Sequence, residues 1–182
     1  MNNLKLVWSA RTECGPERDK NEDAIYPNKS GNKMAPFRAA ICDGLGGHAK
    51  GEVASKIAAD SMSNEEDSLL KIIEDANYKI NKYQEKNIEA KGMGTTMTAL
   101  SINENGLMEV AHVGDSRCYV LSERNIIKIT EDQNVPGYKN VLKQALGTKE
   151  KLEIQKIDFQ LNVGDVVFLL SLIHISEPTR PY

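Results

Sequence analysis

The sequence has few cysteines, no excess of basic residues and no long apolar run. Its three cysteines, Cys14, Cys42 and Cys118, lack metal-binding spacing, which predicts reduced thiols in a cytosolic protein. Lys and Arg number 23 against 26 Asp and Glu, so a net charge of −3 gives no sign of a nucleic-acid-binding surface. No apolar run approaches the ~20 residues of a membrane span, and no basic, apolar leader opens the chain. We therefore expect a cytoplasmic protein with no nucleic-acid or membrane partner.

The pattern of apolar residues predicts a mixed α+β fold. The length of 182 residues, 40% of them hydrophobic, favours one domain with a substantial core. Apolar residues spaced three and four apart predict helices over 52–62 and 69–83, and a short helix is expected over 140–146. An Asn105-Gly106 pair predicts a hairpin turn. Strands are predicted over 4–9, 37–42, 95–102, 107–113, 117–121, 126–130, 152–159 and 166–170.

The last thirteen residues break this pattern. The stretch LSLIHISEPTRPY (170–182) turns abruptly from apolar to polar and contains two prolines. It matches the translation of a common transposase sequencing adapter read in one frame, and such scars are excluded from fold reasoning. We expect a truncated domain over 1–169 and a non-native, adapter-derived tail over 170–182.

The stretch ICDGLGGHAK (41–50) places an acid at the end of a predicted strand, directly before a glycine-rich loop. Asp43 can face a hard cation there, and the Gly44 carbonyl can join it because no side chain intervenes. Oxygen ligands suit Mg²⁺ or Mn²⁺. Glu22 and Asp23 supply further carboxylates, and the planar Arg18 side chain can bind two phosphate oxygens. Taken singly, these residues are more typical of ordinary turns and solvated surface.

Seven short blocks follow one another in a fixed order up to residue 170. They are RDKNEDA (18–24), DGLGGHAKGEVAS (43–55), GMGTT (92–96), AHVGDSR (111–117), TED (130–132), NVLKQALG (140–147) and GDVVFLL (164–170). Together they resemble the metal-dependent type 2C protein phosphatases (the PPM family) in their bacterial form. The resemblance implies a sandwich of two antiparallel β-sheets flanked by helices, incomplete here at the C-terminus. It also implies hydrolysis of phosphoserine and phosphothreonine on proteins by water held between two Mg²⁺ or Mn²⁺ ions, with a serine/threonine kinase as partner.

The resemblance also assigns roles to site residues. It makes Asp43 the carboxylate that bridges both metal ions and the Gly44 carbonyl a ligand of one of them. It places Glu22 and Asp23 at the second metal, partly through water, and Arg18 on the substrate phosphate.

The sequence leaves the roles of Asp115 and of the Thr95–Thr96 pair open. Asp115 resembles an aspartate that helps to bind a third, weaker metal ion, although a plain hairpin residue after Gly114 is an equal alternative. The hydroxyls of Thr95 and Thr96 are expected to support the loops rather than to act on substrate.

The chain departs from the family pattern in three places. Leu45 stands where some relatives carry a histidine proposed as general acid, and His48 is expected to be structural. The segment between Asp132 and Asn140 is short, so the mobile flap of bacterial relatives is reduced or missing. The resemblance also implies a Ser-Asp-Gly segment after Leu170 and a later Asp-Asn pair, both with metal-binding aspartates. Neither is present, so we expect this chain to be poorly active.

Two alternative functions remain open from the sequence. A non-catalytic pseudophosphatase would bind phosphoproteins without hydrolysing them, although the intact Arg18, Glu22, Asp23 and Asp43 argue against loss of activity. A metal-dependent hydrolase of small phosphoesters would use the same site without a protein-directed flap.

Overall fold

The computed structural model describes residues 4–14, 20–45 and 50–171. Its helices are α1 (Gly51–Ser61) and α2 (Leu69–Lys86), followed by a 3-10 turn at Ile88–Ala90. The strands in chain order are β1 (Lys5–Trp8), β2 (Asp23–Tyr26), β3 (Gly31–Met34), β4 (Phe37–Asp43), β5 (Met97–Ile102), β6 (Leu107–Val113), β7 (Arg117–Ser122), β8 (Asn125–Lys128), β9 (Asn134–Val135), β10 (Tyr138–Leu142), β11 (Gln155–Gln160) and β12 (Val166–Leu170).

Two antiparallel sheets make up most of the strand structure. The larger sheet has the order β11-β6-β5-β4-β2, and the second has the order β12-β7-β8. Two ribbons, β1-β3 and β9-β10, complete the described strands. Because β6 and β7 are consecutive but belong to different sheets, residues 114–116 carry the chain from one sheet to the other. This arrangement confirms the predicted α+β class with antiparallel sheets.

The five-stranded sheet lies between two hydrophobic cores. On one face, Ala40 and Cys42 of β4 pack with buried residues of α1 and α2. On the other face, Phe37 packs with Cys118 and Val120 of β7, so this second core lies between the two sheets. The alternation along β4 follows from the period of two in a strand, which turns successive side chains to opposite faces.

The two helices form where their sequence patterns predict them. Ser68 caps α2 by accepting a hydrogen bond from the Lys71 N–H at 3.3 Å, and the predicted apolar stripe from Leu69 to Ile80 is buried against the sheet. Within the described part of the chain, neither helix has the length and apolar character needed to cross a lipid bilayer.

The predicted helix over 140–146 is wrong, because Tyr138–Leu142 forms β10. Pro136 and Gly137 precede it, and Gly137 has φ +83°, which suits a tight turn between β9 and β10. The strands β2 and β3 were not predicted. Each has only four residues and lies beside turn-forming residues, so neither gives a clear alternating pattern.

The predicted boundary at residue 169 falls inside β12. Leu170 is the last residue of β12 and pairs with Arg117, and Ser171 is buried. Residues 172–182 lie outside the described residues. The division into a domain and a foreign tail therefore stays a prediction.

Candidate functional site

Two acidic residues face each other at one end of the five-stranded sheet. In the antiparallel pairing of β2 with β4, Asp23 lies directly opposite Asp43. Side chains at directly opposite positions point to the same face, with Cβ atoms about 5 Å apart, and like charges there destabilise the pair. The strand register therefore creates a site of concentrated negative charge, which a cation relieves.

This acidic pair lies on the sheet face that meets the second sheet. Asp43 follows Cys42, which packs on the helix side, so Asp43 points to the opposite face. The Ser171 hydroxyl, just past the end of β12 in the second sheet, donates a hydrogen bond to Asp23 Oδ2 at 2.8 Å. The two carboxylates therefore lie at the edge of the sandwich, between its sheets.

The residues beside the acidic pair are tightly packed. A Cβ on Gly44 would lie 2.5 Å from the Gly51 carbonyl oxygen and 2.7 Å from that of Glu22. The Gly44 N–H also donates to the Glu22 carbonyl at 3.0 Å. The Glu22 side chain rests on the start of α1, with Oε1 2.7 Å from where a Gly51 Cβ would lie. Gly44 is thus a point of close backbone contact, where a side chain has no room.

Asp115 lies in the crossover turn between β6 and β7. Its side chain is buried, and Oδ1 has no hydrogen-bond partner among the described residues. Burial and then the Asp132 carboxylate raise the pKa of Asp115 to about 6, against a hydrogen bond from Asn134. A buried carboxylate oxygen without a partner is costly in a folded protein. Its position at the same end of the sheet as Asp43 suits a cation ligand.

An ion pair lies next to this turn. Arg117 Nε donates to Asp132 Oδ1 at 2.9 Å, and Lys128 Nζ lies 2.7 Å from the same oxygen. Although burial raises the pKa of Asp132, its hydrogen bonds from Arg117 and Lys128 outweigh this and leave the pKa below its usual range. Asp132 is therefore neutralised by two cationic side chains, whereas Asp115 is not.

A buried histidine predicts acid sensitivity. Burial lowers the pKa of His112 to about 4, although hydrogen bonds with backbone groups of Gly114 and Glu131 oppose the shift. Because an unfolded histidine titrates near 6.5, the unfolded chain binds a proton that the folded protein excludes. The stability from neutral His112 is fully present above about pH 6.5 and is lost as pH falls to about 4, a change of about 3 kcal/mol.

Urea unfolding of wild type and His112→Gln across this pH range measures the effect. The variant is expected to be less stable at pH 7, because it loses the His112 bond to Thr98 Oγ1 at 2.8 Å, but to show a shallower fall in stability between pH 6.5 and 4.5. Parallel curves for the two proteins would show that His112 does not titrate as expected.

The side chains at this end of the sheet fit a divalent cation. All the candidate donors are oxygens, as Mg²⁺ and Mn²⁺ prefer, and both the opposed acids and the partnerless Asp115 oxygen favour added positive charge. No three acidic, histidine or cysteine side chains within 4–14, 20–45 and 50–171 form a group able to enclose a metal ion. A coordination shell built from these described residues alone would therefore also need water or backbone oxygens.

Some of the predicted residues are placed and others are not. The structure brings together Asp23, Asp43 and Gly44, with Glu22 alongside them. Arg18 and His48 lie outside the described residues. The sequence pattern gives no sign of the contact between Ser171 and Asp23, or of a role for Ser116 or His112, although the block AHVGDSR contains the latter two.

Most of the chain is similar to several known proteins. A family model described as Protein phosphatase 2C matches residues 11–136. The chain is 29% identical to the serine/threonine phosphatase stp of Listeria monocytogenes, over 88% of this chain and 75% of that protein. Among solved structures, Stp1 from Staphylococcus aureus matches with a TM-score of 0.71 and 29% identity, over 88% of this chain and 72% of that one.

A second solved structure is that of the catalytic domain of the serine/threonine phosphatase PstP in complex with two manganese ions. It matches with a TM-score of 0.75 and 28% identity, over 91% of this chain and 77% of that one.

Proposed function

Because this chain belongs to the protein phosphatase 2C family of metal-dependent serine/threonine phosphatases, we propose that the acidic end of its five-stranded sheet is the metal centre of that reaction. Asp43 and Asp23 are the principal carboxylate ligands, and the Gly44 carbonyl is a backbone ligand. Glu22 acts on the same centre through water, and Asp115 serves a third, weaker site.

The observation that carries this proposal is the register of β2 on β4. It places Asp23 directly opposite Asp43, an arrangement that is unfavourable without a cation. Neighbouring positions on the two strands are apolar: Ala24 pairs with Cys42 and Ile25 with Ile41. The pair of acids is therefore a local exception, at the one end of the strand pair where the glycine-rich loop begins.

Each residue has a defined part in the chemistry. Asp43 and Asp23 would hold two divalent cations, which would supply a nucleophilic water near neutral pH and offset the charge of the phosphate oxygens. Asp43 and Asp23 hold positive charge at the sheet edge, and Gly44 leaves its carbonyl accessible. We propose that Arg18 binds the phosphate through its planar guanidinium group.

The thiols argue against a phosphocysteine mechanism. Cys42 and Cys118 are buried, and burial raises the pKa of both thiols, with Asp23 and Asp43 adding to the effect at Cys42. A cysteine nucleophile needs a lowered pKa and access to solvent. Direct attack by water therefore suits this chain better than a covalent intermediate on either buried thiol.

The substrates are phosphoproteins, in keeping with the family. We propose that the protein reverses the action of a serine/threonine kinase. All three cysteines are free thiols, which supports placing it in the reducing cytoplasm.

Metal removal tests this function. We expect the chain to hydrolyse a phosphothreonine peptide slowly but measurably in Mn²⁺. This activity should fall to background when EDTA removes the ion and recover when Mn²⁺ is restored. Release of inorganic phosphate is measured in parallel with p-nitrophenyl phosphate as a small substrate. Hydrolysis that survives EDTA would contradict the proposal.

The same assay separates the two alternatives. A higher kcat/KM for p-nitrophenyl phosphate than for the peptide would favour a small-phosphoester hydrolase. Binding of the peptide with no phosphate release, in a chain that binds Mn²⁺ by calorimetry, would favour a pseudophosphatase.

A further inference from the structure

Two hydroxyl groups and one backbone hydrogen bond hold the backbone of Asp43 beyond the end of the β4–β5 ladder. The register of β4 on β5 ends at the pair Ile41 and Thr98. Beyond it, the Asp43 N–H donates to the side-chain Oγ1 of Thr96 at 3.1 Å. The Asp43 carbonyl accepts from the Thr96 N–H at 2.9 Å and from Thr95 Oγ1 at 3.0 Å. Both backbone polar groups of Asp43 are thus held by two adjacent threonines.

The Thr96 hydroxyl also reaches the crossover turn. Its Oγ1 lies 2.7 Å from Ser116 Oγ, and both side chains are buried. Ser116 directly follows Asp115. The buried Thr96 hydroxyl therefore contacts the Asp43 backbone and the Ser116 side chain, which follows Asp115. It links the segment before β5 to the turn between β6 and β7.

The turn is shaped to let this contact form. Gly114 has φ +113°, and a Cβ on it would lie 2.6 Å from Thr96 Cβ and Cγ2. Only a residue without a side chain allows the turn to approach Thr96 so closely. The turn is held from the other side by Gln133, whose N–H donates to the Gly114 carbonyl at 2.8 Å. The close approach is therefore built into the backbone.

We propose that Thr96 is a positioning residue of the active site, whose hydroxyl fixes the separation between Asp43 and the Asp115 turn so that both carboxylates meet one metal cluster. The inference rests on the proposed function, in which these acids bind the metal ions. Removal of the hydroxyl leaves the Asp43 N–H without its acceptor and Ser116 without its partner. Ser116 is buried and Asp43 is half-buried, so the two segments have to move to regain hydrogen bonds.

The test compares three threonine variants of the full chain. Thr96→Val removes the hydroxyl at nearly constant volume, and Thr96→Ser keeps it. Thr130→Val is the matched control, because Thr130 is equally buried and its Oγ1 accepts from the Cys118 N–H at the same 3.1 Å. Mn²⁺ dissociation constants come from calorimetry, and the melting temperature without metal comes from differential scanning.

Thr96→Val is expected to weaken Mn²⁺ binding about 10- to 100-fold, as for the loss of other residues that orient metal ligands. Thr96→Ser should restore most of the affinity. Thr130→Val should lower the melting temperature as much as Thr96→Val does but leave Mn²⁺ affinity unchanged. Wild-type Mn²⁺ affinity in Thr96→Val, or an equal loss in Thr130→Val, would overturn the inference.

Two further variants keep the outcomes distinct. Ser116→Ala leaves the bond between Asp43 and Thr96 in place, so it should weaken Mn²⁺ binding less than Thr96→Val does. It replaces Thr96→Val as the test if that variant does not fold. No loss in Ser116→Ala would then count against the inference. Asp43→Asn tests the site itself: unchanged Mn²⁺ binding there would refute the proposed function, whereas loss there with normal binding in Thr96→Val would refute only the role of Thr96.

Discussion

Asp43→Asn is expected to abolish Mn²⁺-dependent phosphatase turnover and to weaken Mn²⁺ binding by about 100-fold or more, because it removes the charge that holds the cations at the sheet edge. The fold should survive. Asparagine is close in size to aspartate, and the change removes the repulsion between residues 23 and 43 that the strand register imposes. The melting temperature of the metal-free protein should therefore stay the same or rise. Calorimetry with Mn²⁺ and a phosphate-release assay measure the two effects.

Asp158→Asn is a suitable control. Asp158 is an exposed residue of β11, and this substitution removes the same single negative charge. It should bind Mn²⁺ as wild type does. Near-normal turnover of Asp43→Asn in saturating Mn²⁺ would refute the assignment of Asp43. A fall in its metal-free melting temperature would show instead that Asp43 is needed for folding.

Gly44→Ala is expected to destabilise the protein by about 3 kcal/mol, at the upper end of overpacking costs. The new methyl group would lie 2.5 Å from the Gly51 carbonyl oxygen and 2.7 Å from that of Glu22. Both obstacles are backbone atoms, so either the start of α1 or the segment before β2 must move. Because that segment leads into Asp23, Mn²⁺ binding should fall together with stability. Urea unfolding and Mn²⁺ calorimetry measure both.

Gly164→Ala provides the comparison. Gly164 has φ +98°, but a Cβ there meets nothing within 4 Å, so only the backbone strain of about 1 kcal/mol is expected. Its Mn²⁺ affinity should not change. Equal losses of stability in the two variants would show that the contacts of Gly44 are not the cause, and a stable, fully active Gly44→Ala protein would argue against a tight backbone ligand.

The sequence predicted the elements that have a strong period. Apolar residues repeat over several turns of α2, from Leu69 onward, and over several residue pairs of β5 and β6. The structure has these elements where the pattern predicts them. The start of β5 differs by two residues. Thr95 and Thr96 use their hydroxyls to hold Asp43, and these bonds supplement an irregular backbone pairing there. These hydroxyl bonds depend on the neighbouring strand, so the order of residues along the chain does not reveal them.

The candidate site was predictable in its residues but not in its connections. The order of the acidic and glycine-rich segments indicated Asp23, Asp43 and Gly44. The register that places Asp23 opposite Asp43 depends on where β2 begins, and β2 is too short to show a period. The bond between Thr96 and Ser116 joins residues from two separate blocks, so only the folded chain brings them together.

The hydrogen bond from Ser171 to Asp23 links positions 148 residues apart, which has a consequence for folding. Closing so large a loop costs entropy that local contacts do not repay, and sheets built from distant strands fold slowly. The acidic edge therefore reaches its final form only after β12 has joined the second sheet. A divalent ion bound at this edge stabilises the native state relative to the unfolded chain, because it binds only the folded form. Metal binding then requires β12 to be in place. We expect Mn²⁺ to slow unfolding most at the pairing of β12 with β7.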